Sequence, residues 1–173
     1  MKKLTLIQSP PAGGGACDTV VQGNLTAASS IGWFGENGPR IYLALPFYAT
    51  NSATVCKIDI VIRYGVDAGG TLTAAIYSNS ANSPGSIIGS ASGAVDITAF
   101  TSSFTTNTIT LSSSITAGST NWLVLATSFT TDYCYFGAVA ATGGLLLPKI
   151  SSNGSSWSDG PYNQGYPSLR IYQ

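Results

Sequence analysis

Val55-Cys56-Lys57-Ile58-Asp59-Ile60-Val61-Ile62-Arg63-Tyr64 is the stretch whose reading decides the fold. Cys56, Ile58, Ile60, Ile62 and Tyr64 fall on one parity, and Lys57, Asp59, Val61 and Arg63 on the other. A β-strand turns successive side chains to opposite faces, so a period of two marks a strand with one buried face and one wetter face. Asp67-Ala68-Gly69-Gly70 follows, a run that tolerates positive φ and can close a turn. Leu72, Ala74 and Ile76 then resume the alternation against Thr71, Thr73, Ala75 and Tyr77. A polar loop over residues 78–86 carries Pro84-Gly85 near its end, and Ile87-Ile88 opens the next extended piece.

The same grammar runs outward in both directions. Upstream, Ile41, Leu43, Leu45 and Phe47 alternate with Tyr42, Ala44 and Tyr48, and Pro46 places that strand at an edge or an end because it lacks an N–H. A short strand is expected within residues 18–25, and residues 32–39 read as a glycine-punctuated loop carrying Trp33 and Phe34. Downstream, residues 94–97 and 106–111 read as short strands, and Ile115-Thr116-Ala117-Gly118 as a turn. Trp122, Val124 and Ala126 alternate with Leu123, Leu125 and Thr127 in a strand rich enough in large residues to be central. Residues 133–139 read as a strand, and residues 151–167 as a loop holding Trp157, Tyr162 and Tyr166. Leu169 and Ile171 close the chain on a terminal strand. No window has the caps or composition of an amphipathic helix. Many short strands separated by turn residues predict an all-β fold, a two-sheet antiparallel β-sandwich (jelly roll). Its core should hold Cys56, Ile58, Ile60, Ile62, Leu72, Ala74, Ile76, Trp122, Val124 and Ile171.

Composition narrows the chemistry. Only 8% of the 173 residues are Asp, Glu, Lys or Arg, against about 25% in typical domains. The seven basic and seven acidic residues cancel, so no net field steers the chain to nucleic acid or acidic lipid, and neither is expected as a partner. A charge-poor surface gives little colloidal repulsion and favours association, which suits a homo-oligomer or a place inside a larger assembly. Histidine is absent, which removes Ser-His-Asp and Cys-His nucleophile activation, His-ligated zinc and the commonest general base near neutral pH. One glutamate and six aspartates remain, with no spacing that marks a glycosidase pair. The expectation is no catalysis, no metal and no cofactor.

Residues 1–16 differ from the rest in composition. After Met1-Lys2-Lys3, the apolar run Leu4-Thr5-Leu6-Ile7 stops at Gln8, Ser9, Pro10 and Pro11, short of the roughly 7–15 apolar residues of a secretory core. No segment has the length of a membrane span, and no membrane is expected as a partner. The expectation is a protein made in a cytoplasm and not exported by the general route. Proline stiffness followed by Gly13-Gly14-Gly15 suits an extended N-terminal arm, leaving residues 17–173 for the sandwich domain. Strand addition by the arm to a neighbour's sheet edge, with Leu4, Leu6 and Ile7 as its docking side chains, is the natural way to capture it. Cys17, Cys56 and Cys134 lie far apart without CxxC spacing. They read as structural, bridged or not.

Three pieces carry a family likeness. They are Gly70-Thr71-Leu72-Thr73-Ala74-Ala75-Ile76-Tyr77-Ser78 with the loop to Pro84-Gly85; Ile115-Thr116-Ala117-Gly118 leading to Asn121-Trp122-Leu123-Val124-Leu125; and Ser151-Ser152-Asn153-Gly154-Ser155-Ser156-Trp157 with the closing Ser168-Leu169-Arg170-Ile171-Tyr172. Over residues 58–172 the chain resembles jelly-roll β-sandwich domains of the carbohydrate-binding-module type, found in tailed-phage virion proteins and bacterial surface proteins. These motifs record turns and core geometry, so the resemblance implies a fold more than a function.

Trp33, Phe34, Trp157, Tyr162 and Tyr166, read as loop aromatics, are the candidate interface or ligand residues. Such rings stack on sugars or anchor interfaces; the ordinary alternative is a plug folded over the sandwich. Asp67, Asp132 and Asp159 sit in or beside turns, where aspartate usually bonds its own backbone; the alternative, a structural Ca²⁺, needs about six oxygens from separate loops. The function expected is a non-enzymatic virion structural protein of a phage, a capsid decoration or a tail or fibre component, with other virion proteins as partners. The alternative is a carbohydrate-binding or adhesive module of a bacterial surface protein, with a glycan as partner.

Overall fold

The computed structural model describes residues 17–24, 30–34, 42–64, 70–128, 134–139, 148–160 and 166–173. The strands, in order, are β1 (Val20–Asn24), β2 (Ser30–Phe34), β3 (Tyr42–Tyr48), β4 (Ala53–Tyr64), β5 (Thr71–Ser80), β6 (Ser83–Ile88), β7 (Val95–Asp96), β8 (Thr105–Ile115), β9 (Thr120–Thr127), β10 (Cys134–Val139), β11 (Lys149–Ser151), β12 (Ser158–Asp159), β13 (Tyr166–Pro167) and β14 (Leu169–Tyr172). Among the described residues the one helical element is a single 3-10 turn, Ile97–Ala99, capped by Asp96. The fold is the expected all-β sandwich of two antiparallel sheets.

In the first sheet β4 is the spine. β8 runs along one side from Ala53 to Ile62, while β14 and then β10 share the other side; β1 lies outside β14, and β2 outside β10. The second sheet runs β12-β11-β3-β9-β5, with β6 and β7 sharing the far side of β5. Between the sheets lie Leu43, Leu45, Phe47, Ile58, Ile60, Ile62, Leu72, Ile76, Ile109, Leu123, Leu125, Phe136 and Ile171, all buried. Burying each such side chain is worth about 1.5–3 kcal/mol, so this layer supplies most of the driving force. Pro46 lies beyond the reach of β11, which covers β3 only from Tyr42 to Ala44, so its missing N–H breaks no ladder there.

Four expectations need correction. Cys56 is not aligned with Ile58: the β4–β8 register shifts between Val55 and Lys57, and this bulge puts Val55 in the core and leaves Cys56 half-buried. Trp122 and Val124 are buried, but on the outer side of the second sheet; Leu123 and Leu125 take the core. Both parities of β9 are apolar, and alternation alone cannot tell which faces inward. Residues 78–86 are no loop: β5 runs to Ser80, β6 starts at Ser83, and Ala81-Asn82 makes a two-residue hairpin turn with both φ positive, 47° and 62°. Trp33 and Phe34 belong to β2, opposite Tyr135 and Cys134, and Tyr166 belongs to β13.

Cys17 and Cys56 form a disulfide, a pairing the sequence left open. Around it Lys57 Nζ meets Asp18 Oδ1 at 3.3 Å and lies 4.6 Å from the Tyr172 ring centre, while Thr19 and Gln173 exchange backbone hydrogen bonds. The start of the sandwich is thereby joined to both its central strand and its C-terminus.

Candidate functional site

The outer face of the second sheet collects aromatic side chains over a floor of small ones. Register places Tyr42 beside Ala126, Ala44 beside Val124, and Trp122 between Pro46 and Tyr77. Ala44, Trp122 and Val124 are buried there because Tyr42, Tyr77 and Trp157 pack over them. Trp122 is fully buried, and its Nε1–H donates to Asn79 Oδ1 at 2.9 Å, so the indole's one polar atom is satisfied. Tyr77 feels this crowding: burial, and then the nearby Tyr42, push its hydroxyl above the usual tyrosine pKa.

Trp157 comes from the segment between β11 and β12. Residues 151–156 are braced by Asn153, whose Oδ1 accepts from Ser155 N (2.9 Å), Ser156 N (2.9 Å), Ser155 Oγ (3.0 Å) and Ser151 Oγ (3.1 Å). Gly154, at φ 74°, rests on Tyr42: a Cβ there would stand 3.1 Å from two ring carbons. This seats Trp157 edge-on against Tyr42, with ring centres 6.3 Å apart and planes at 76°. Trp157 is therefore half-buried and held from one side.

Beyond Trp157 the β5–β6 hairpin completes an open cleft of about 520 Å³, lined by Ser80, Ala81, Ser83, Pro84, Gly85, Gly154, Ser155 and Trp157. The hairpin's position is fixed by the Asn79–Trp122 bond and by a bulge after Tyr77, where Ser78 Oγ accepts from Ser86 N at 3.1 Å and donates to Ser86 O at 3.3 Å. Gly85 allows a close approach, since a Cβ there would meet Ser78 Oγ at 2.9 Å. Ala81 at φ 47° is strained, by about 1–2 kcal/mol for a residue with a Cβ.

Of the aromatics singled out in the sequence, Trp157 alone is described with its side chain, and the structure joins it to Tyr42, Tyr77 and Trp122, which sequence reasoning did not select. Trp33, Phe34 and Tyr166 are placed by their backbone only; Tyr162, Leu4, Leu6 and Ile7 lie outside the described residues, as do Asp67 and Asp132. Asp159 does not bond its own turn but pairs with Lys149 Nζ across β11–β12 at 2.6 Å. The aspartate that caps a turn is Asp96, whose Oδ1 accepts from Thr98 N and Thr98 Oγ1, both at 2.8 Å; those bonds lower its pKa. Among the described residues no three His, Cys, Asp or Glu side chains converge to hold a metal, and no helix is long and apolar enough to cross a membrane. No family model matches the chain, and no curated protein and no solved structure matches it either.

Proposed function

We propose that the chain is a non-enzymatic virion structural protein of a phage, a capsid decoration or a tail or fibre component, that acts by packing against other virion proteins and copies of itself. The observation that supports this most directly is how the few charges are used. Lys57 pairs with Asp18 and Lys149 with Asp159; Arg63 stacks 4.1 Å from Tyr135 and 5.2 Å from Phe104; Asp59 accepts from Thr108 at 2.6 Å. What remains outward on β8 is an uncharged row, Thr106, Thr108, Thr110, Ser112 and Ser114, all exposed. Val20, Tyr48 and Ile87 are exposed apolar side chains elsewhere on the described surface. Such a surface can be covered by protein without stripping water from unpaired charges, the costly part of close packing.

The Cys17–Cys56 disulfide suits a particle that ends its life outside the cell, since such bonds persist on virion and cell surfaces. It suits the second reading equally well, an adhesive module of a bacterial surface protein. Immunogold labelling with an antibody to the chain separates the two. Intact particles purified after host lysis should be decorated at regular positions; label confined to the bacterial envelope would replace the virion reading with the adhesive one.

A further inference from the structure

We infer that the free edge of β8 docks the β8 of a second copy, the two strands pairing antiparallel about a two-fold axis at Thr108. The inference rests on the reading that copies of the chain pack against one another, and it names the edge and the register by which they do so. β8 bonds to β4 on one side; on its other side, among the described residues, the one bridge is Ser90 to Ser112. Backbone groups along a strand point alternately to its two neighbours. Val61 N–H donates to Ser168 O on the β14 side of β4, so Ile58, Ile60 and Ile62 turn their backbone groups to β8. Their partners are Ile109, Asn107 and Thr105. The residues between, Thr106, Thr108 and Thr110, therefore point N–H and C=O away from β4, in step with Ser112, whose carbonyl accepts from Ser90.

This edge lacks the devices that keep strands of different molecules apart. Residues 105–111 hold no charge, proline or glycine, the usual guards of an exposed edge. Other edge strands are guarded: β12 is two residues long, β6 carries Pro84, and the pairing of β1 is irregular after Val20. β8 is also ordered in advance, with Thr108 Oγ1 donating to Asp59 Oδ1 at 2.6 Å. On its core side Ile109 and Leu111 are already buried. An added strand thus gains main-chain bonds and no apolar pocket, which suits a second row of threonines and not the Leu4 and Leu6 of an arm. The register follows from what is free. Thr108 opposite Thr108 sets Thr106 opposite Thr110 on both sides of the axis and makes about six main-chain hydrogen bonds. Moved one way, the pairing sets Thr106 against Ser112, whose carbonyl Ser90 already holds. Moved the other way, it sets Thr110 against Phe104, which precedes β8 and lies against Arg63. A contact of this isologous kind closes at two copies and carries the first sheet from one into the other.

The test uses the full chain. One strand's edge buries less than the roughly 1,200–2,000 Å² of a standard interface, so sedimentation equilibrium should show a dimer with a Kd on the order of 0.1 mM. Amide hydrogen exchange then locates the contact. Between about 10 µM and 1 mM protein, the Thr106, Thr108 and Thr110 amides should gain protection, while Asn107 and Ile109 stay protected at both concentrations. Two variants with exposed substitutions test the register and leave the β4–β8 ladder intact. Thr106→Glu/Thr110→Glu sets like charges opposite each other and should weaken the dimer about 10-fold. Thr106→Lys/Thr110→Glu sets opposite charges together and should restore or tighten it. Leu4→Ser/Leu6→Ser should leave it unchanged. The inference is overturned if the chain stays monomeric at 1 mM, if a dimer forms without protecting those three threonine amides, or if the two charge variants pair equally well. It is overturned too if the Leu4→Ser/Leu6→Ser variant loses the contact, which would give the edge to the arm. Copies that meet along another face would still place immunogold label on particles, so this inference can fail while the virion reading stands.

Discussion

Trp122 is buried without belonging to the layer between the sheets, and the side chains that hide it are themselves half-buried tyrosines and a tryptophan. Tyr77 carries the chemical trace of that arrangement. Its proton is held more tightly in the folded protein than in the unfolded chain, first by burial and then by Tyr42. The stabilisation this brings is complete below the unfolded value, about 10, and is lost as pH rises through that value towards the higher folded one. In an alkaline titration followed by phenolate absorbance, Tyr77→Phe should remove a phenol that titrates later than the ordinary ones. Its stability should also fall less steeply above about pH 10. Loss of an ordinary-pKa phenol instead would mean that the cluster is open to water. None of this was legible in the sequence: Tyr42, Tyr77 and Trp122 occupy unremarkable places in alternating strands, and only the loop carrying Trp157, folded back over them, makes them a cluster.

At the scale of elements, β4 and β5 were readable because one parity of each is polar enough to reveal the other as core. β9 was not, since Trp122 and Leu123 are equally good core residues and the choice is made by what covers each face. The β5–β6 turn was misplaced for a local reason. Pro84-Gly85 is the stronger turn signal, yet the chain turns at Ala81-Asn82, where an alanine accepts a conformation that favours glycine. β2 was hidden by the glycines around Trp33, which read as loop residues until β10 supplies a partner strand. The turn yields a direct test. Ala81→Gly removes the left-handed strain but adds freedom to the unfolded chain, for a net gain of about 0.5–1 kcal/mol, visible as a higher denaturation midpoint. A drop would show that the Ala81 methyl makes contacts worth more than its strain.

Across the whole molecule, the cleft and the disulfide share one property: each joins segments that no local pattern connects. The hairpin and residues 154–157 meet only because β3 and β9 lie between β11 and β5 in the second sheet. Cys17 and Cys56, 39 residues apart, meet because β14 brings β1 alongside β4. Closing a loop of that length contributes about 4 kcal/mol in the chain-entropy account. The Cys17→Ser/Cys56→Ser variant should therefore unfold about 2–4 kcal/mol more easily in denaturant, with the loss absent when both proteins are compared under reduction. An unchanged midpoint would mean that β1 and the C-terminal strand hold the edge unaided.

That bond also decides where a pull on the chain would be felt. Tension applied through the residues before Cys17 reaches the sulfurs before it reaches β1, and passes straight into β4, the spine of the first sheet. The β1–β14 hydrogen bonds, which would otherwise open one after another from the end like a zip, lie outside this path. Such a load enters β4 at its Val55–Lys57 bulge and is handed on to the three strands paired with it, β8, β14 and β10. A load arriving at the N-terminal end is thus taken up by the central strand of the first sheet and bypasses the edge strand β1.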